Sequence, residues 1–178
     1  MATVTLASAH YALVHLSRLW EVILALHIFS AVVGFGIVFA YPLFMTVGAR
    51  LDPAAMAWFH QMQQAVSRRL VSPALVLVVI FGVALASKFN AWSALYVQWG
   101  IGASIVIGGL EGMVLIPGAG RLAELARRDV GEHGEGRTPG TALSAEYHRV
   151  QRQVLLVAAL ISVLVLATVV LMAMHVRG

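Results

Sequence analysis

Residues 19–47, LWEVILALHIFSAVVGFGIVFAYPLFMTV, form an apolar run long enough, at about 1.5 Å per residue, to cross a hydrocarbon core of roughly 30 Å. Within the run stands one histidine, His27, and at offsets of three, four and seven from it come Ser30, Ala31 and Gly34 on the same helical face. An imidazole inside a membrane helix is costly unless something binds it or hydrogen-bonds it. The small side chains beside it leave space for an occupant or for a closely packed helix.

The remainder of the chain continues this pattern. Of its 178 residues 60% are hydrophobic and 11% charged, far from the balance of a soluble domain. Three further apolar runs, about 70–87, 93–116 and 154–174, predict an all-α, four-span antiparallel bundle over 1–178, with no separate soluble domain. The absence of cysteine excludes disulfides, thiolate metal sites and thiol nucleophiles. The pI near 10.1 would suggest nucleic acid in a soluble protein. Here the basic residues lie between apolar runs, which reads as membrane topology, with the lipid bilayer as the expected partner and no nucleic acid. The N-terminal stretch lacks the charged start and small-residue cleavage site of a signal peptide, so the first span is expected to be retained. Residues 4–18, with His10, His15 and Arg18, are mildly amphipathic and expected at the interface. Eleven arginines against the single Lys88, with abundant Ala, Gly and Val, point to a GC-rich bacterial genome and hence a bacterial plasma membrane.

Asp52-Pro53 supplies an N-cap and a first helical residue for a helix carrying Trp58, His60 and Gln61, which continues through Arg68 and Arg69 into the second span and is expected to bend at Pro73. Lys88 to Trp92 is a tight turn, and Trp92, Tyr96 and Trp99 form an aromatic belt. The third span carries Gly100, Ser104, Gly108 and Gly112, a ladder that permits close helix approach and the docking of a membrane-protein partner or a second copy. Pro117-Gly118 is expected to end it. An amphipathic helix over 121–130, a polar loop over 131–144 and a new helix start at Ser144 follow. Nine basic residues flank the two longer connections and three lie on the other side, which places those connections in the cytoplasm and both termini outside.

Depth sorts the polar residues into an outer layer, with His27, Lys88, Met172, Met174 and His175, and an inner one, with His60, Arg68, Arg69, Glu111, His148, Arg149 and Arg152. His27 and Glu111 are the ionisable residues set clearly inside a span. For His27 one reading is an axial ligand to haem b, with Met172 or His175 opposite; another is a hydrogen bond to a carbonyl or serine across a helix seam. A Cu(I) site of His27 with Met172 or Met174 is chemically reasonable. Glu111 either relays protons or binds a cation, or it pairs with Arg68, Arg69 or Arg149 to hold helices together. His60 and His148 lie where they could approach each other.

Leu26-His27 with the small residues after it, Gly34-Phe35-Gly36, Asp52-Pro53-Ala54-Ala55, the hairpin with Trp92, and Glu146-Tyr147-His148-Arg149 through Met172 together resemble a bacterial family of predicted integral membrane proteins. More distantly they are similar to copper-resistance-D-like membrane domains and to the haem-containing protoporphyrinogen oxidase family. The latter resemblance implies a haem-ligating role for His27. The chain departs from those relatives in having no tryptophan between His27 and Gly36, no lysine within a span, and a Met172-Ala173-Met174-His175 ending, so haem ligation carries over further than oxidase activity. Two functional classes follow: a redox or haem-related membrane protein, or a non-enzymatic subunit or small permease for a metal or small solute.

Overall fold

The computed structural model describes residues 2–48, 50, 52–131 and 143–175, with side chains from Arg18 onward except at residues 54 and 175. His10, His15 and the side chain of His175 therefore lie outside the described residues, as do Arg137, Arg177 and most of the polar loop. The elements are helices throughout: α1 (Ala2–Gly48), α2 (Pro53–Val66), α3 (Ser72–Lys88), α4 (Leu95–Leu110), α5 (Ile116–Gly131) and α6 (Ala145–His175). A π-helical turn, Ser67–Val71, joins α2 to α3, and a second, Glu111–Leu115, joins α4 to α5. The chain thus forms four long rods, each containing a stretch long and apolar enough to cross a membrane. No break separates residues 4–18 from the first span, since α1 runs through both for about 70 Å.

Local sequence sets the ends of the rods. α2 starts at Pro53, directly after Asp52, whose carbonyl accepts a hydrogen bond from the Ala55 N–H. α3 stops where Asn90 takes a left-handed conformation, φ 48°, which asparagine tolerates better than most residues. The Ala91 N–H then reaches back to the Ala86 carbonyl at 2.9 Å, the closing bond of a Schellman turn. Ser144 caps α6, its hydroxyl accepting the Tyr147 N–H at 3.2 Å.

Both prolines in the central rods follow a π-turn at the same spacing. Each turn ends two residues before its proline, Val71 before Pro73 and Leu115 before Pro117. A proline inside a regular helix removes an N–H and collides with the carbonyl four residues earlier. The wider turn moves that carbonyl aside, shown by the Ser72 N–H bonding Ser67 O and the Ile116 N–H bonding Glu111 O. This is why Pro117-Gly118 does not end the third rod, contrary to the expectation from sequence; helix continues to Gly131. Ser72 precedes Lys88 by sixteen residues and Glu111 follows Leu95 by sixteen, so both lie about 24 Å from the hairpin.

In lipid there is no hydrophobic drive between apolar helices, so close packing has to hold them. α1 packs on α3 and α6, α4 packs on α6, and at the arginine-rich end α2 packs on α5 and α5 on α6. The core holds Phe35, Val38, Tyr41 and Met45 of α1 with Ile107, Ile161 and Val165. Polar ties fix the rods' relative heights: Trp99 Nε1 donates to Thr168 Oγ1 at 3.1 Å, and the Lys88 ammonium stands 5.4 Å from the Trp20 ring centre.

Candidate functional site

His27 faces α3. Its Nδ1 lies 3.0 Å from the carbonyl oxygen of Val78, and because a carbonyl only accepts, Nδ1 carries the proton and Nε2 keeps its lone pair. Gly82 makes room for the ring, since a Cβ there would stand 3.1 Å from His27 Cε1. Two helical turns on, at Gly34, the stripe that the sequence offered to an occupant is filled by protein. A Cβ at Gly34 would meet Leu75 Cδ2 at 3.1 Å and the Leu75 backbone nitrogen at 3.4 Å. Met172 is seated elsewhere, with its Cε against Gly100 on the seam between α4 and α6. At Gly34 the α1–α3 seam is thus closed by Leu75, while Met172 packs at Gly100. Among the described residues no group of three or more metal-ligating side chains of the His, Cys, Asp and Glu types occurs.

Glu111 is placed differently. It is the first residue of its π-turn, 1% exposed, and among the described residues its two carboxyl oxygens are the buried side-chain polar atoms without a hydrogen-bond partner. Ser67, the first residue of the other π-turn, and Tyr41 of α1 stand beside it. These two are engaged with each other through a short hydrogen bond between Tyr41 Oη and Ser67 Oγ. The arginines expected to neutralise the carboxyl do not reach it: Arg68, Arg69 and Arg149 are exposed. The register of the π-turn explains this for the first two, because it buries Ser67 and Val71 and turns Arg68 and Arg69 outward. Glu111 also forms one end of a cleft of about 410 Å³ between the central rods, where Ser72 and Ser104 add hydroxyls and Gly108 leaves space.

A third polar group lies toward the arginine-rich end. His60 is 0% exposed, with Nδ1 3.2 Å from Gln63 Oε1 and Nε2 2.7 Å from Tyr147 Oη. One tautomer satisfies both contacts, Nδ1–H donating to the amide oxygen and Nε2 accepting the phenol proton. The partner of His60 is thus Tyr147 rather than the neighbouring His148, which is exposed. At the surface, Arg121 and Arg128 grip Glu146 at 2.8 and 3.4 Å, and Asp129 accepts the Ser144 N–H at 2.8 Å, fastening α5 to the start of α6.

The family model described as predicted integral membrane protein (DUF2269) matches residues 21–176, a range that holds all three polar groups. The chain belongs to this family. No curated protein and no solved structure matches it, so the wider likeness to copper-resistance-D-like and oxidase proteins draws no support from these comparisons.

Within this family member the structure assembles the sequence-selected residues unevenly. Of the small-residue ladder, Gly100 and Ser104 are buried, and Gly100 receives Met172. Gly108 and Gly112 have nothing within 4 Å of a built Cβ, so among the described residues no helix closes on them. Sequence reading missed Tyr41, Ser67 and Tyr147 as partners. The one signal for Ser67 was its place six residues before Pro73, matching that of Glu111 before Pro117.

Proposed function

We propose that this membrane protein is a small permease whose working group is Glu111, a carboxyl that takes up and releases a proton or a cation where the two π-turns meet. The observation that carries this reading is that both carboxyl oxygens are buried with no charged partner and no hydrogen bond of ordinary length, the Ser67 hydroxyl being the neighbour placed to donate to them. A lone carboxylate in an apolar bundle is expensive, so the position calls for a positive counter-charge that can come and go. π-Turns supply local freedom in otherwise regular helices and recur at functional sites. The basic residues put the arginine-rich end in the cytoplasm of a bacterial plasma membrane, and the site then lies near the inner boundary of the hydrocarbon. The test is modification by dicyclohexylcarbodiimide, which enters lipid and attacks protonated carboxyls, on the intact protein in nanodiscs. Glu111 becomes labelled, more slowly as pH rises, and Glu111→Gln leaves that peptide unlabelled. A Glu111 that resists the reagent at every pH would sink the reading.

A second reading rests on the His27 hydrogen bond. A ring that donates Nδ1–H to a backbone carbonyl offers Nε2 to a metal in the usual orientation. In that case His27 holds haem b, with Met172 or His175 as the second ligand, after α1 and α3 separate at Gly34. Oxidised and dithionite-reduced absorption spectra of protein from haem-replete cells decide it: a Soret band that His27→Ala abolishes supports haem, and a featureless spectrum removes it.

A further inference from the structure

Resting on the assignment of Glu111 as the working carboxyl, we propose that the cleft between the central rods binds a lipophilic cation that enters sideways from the bilayer. The cleft has one charged lining residue, Glu111, at its inner end. Its wall is otherwise apolar, from Leu75 and Val76 to Val79 and Ile80, with Ser72 and Ser104 as the added polar points. Val76 and Ile80 are 58% and 54% exposed, whereas Glu111 is 1% exposed, so the mouth opens on the lipid-facing surface and Glu111 lies at the covered end, its carboxyl reached by a shift of the surrounding side chains. No basic side chain lines the space, so the Glu111 carboxyl has no resident cationic partner there.

The shape selects among cations. Small metal ions require several oxygens gathered at one point. Here Ser104 stands seven residues from Glu111 on one rod, about 10 Å, too far to share an ion with it, and the Tyr41 and Ser67 hydroxyls beside the carboxyl bond to each other. An ammonium head at Glu111 with an alkyl body along Leu75 and Val79 meets both the charge and the apolar wall. Gly108 keeps this path clear, because a side chain there would project into open space rather than into protein.

The experiment uses full-length protein in nanodiscs and measures carbodiimide labelling of Glu111 with and without decyldimethylamine, which is cationic at neutral pH and forms no stable amide. Decanol and decyl sulfate serve as neutral and anionic controls, and Gly108→Leu fills the cleft while keeping the carboxyl itself. Protection by the amine of at least fivefold, absent with decanol and decyl sulfate and lost in Gly108→Leu, supports the proposal. Labelling that the amine does not slow overturns the cation site while leaving Glu111 as the working carboxyl. Equal protection by decanol, or protection that survives in Gly108→Leu, also overturns it, because any apolar filler or a change in membrane surface charge would then suffice. Glu111 that cannot be labelled at any pH removes the assignment beneath it as well.

Discussion

His27 and Glu111 are both ionisable side chains within apolar spans, and the bundle treats them in opposite ways. His27 meets a rod that was shaped for it: Gly82 admits the ring and Val78 takes its proton in a hydrogen bond. Glu111 meets Ser67 and Tyr41, which bond to each other, and its own oxygens accept no hydrogen bond of ordinary length. An imidazole satisfied by backbone stabilises the seam it sits in, whereas a buried carboxyl without a partner is a cost the fold carries. The proposed working role of the acid, rather than the histidine, rests on this difference.

The comparison predicts stability changes of opposite sign. Glu111→Leu raises unfolding free energy by about 2 kcal/mol, because it removes two orphaned polar atoms from the interior. Denaturation in mixed micelles reads this directly, and a loss of stability would mean that the carboxyl is paired. His27→Leu moves the other way, by about 1 kcal/mol, the ordinary worth of an interhelical hydrogen bond in lipid. A double-mutant cycle sharpens the claim that Glu111 stands apart from its neighbours. Tyr41→Phe costs about 1 kcal/mol, and its effect adds to that of Glu111→Leu within about 0.5 kcal/mol. A larger coupling energy would make the carboxyl a member of the Tyr41–Ser67 network. The smallest contrast comes from one substitution on two faces. Gly108→Ala has room and gains a few tenths of a kcal/mol from helix propensity. Gly34→Ala presses on the Leu75 side chain and backbone and loses a similar amount, and thermal midpoints of the two variants should fall on either side of wild type.

The four spans and the hairpin were legible in the sequence because hydropathy and turn chemistry act over a few neighbouring residues. Asp52-Pro53 and Ser144 announce their helix starts for the same reason. The π-turns were not legible, since one extra residue per turn leaves no side-chain signature; its only trace is a proline that helix nonetheless passes through. That omission carried into the site. Charge counting put Arg68, Arg69 and Glu111 at one level, but the rotation imposed by the π-turn points the arginines away. The pairing of His60 with Tyr147 spans 87 residues and depends on how α2 and α6 meet, which no local pattern encodes.

The two prolines fix where the central rods are wide. Each holds its turn in place, because a turn that moved along the rod would return the proline to regular helix and to the collision with the carbonyl four residues earlier. The rods run antiparallel with equal spacing from the hairpin, so the two pinned turns fall at one level, that of Ser67 and Glu111.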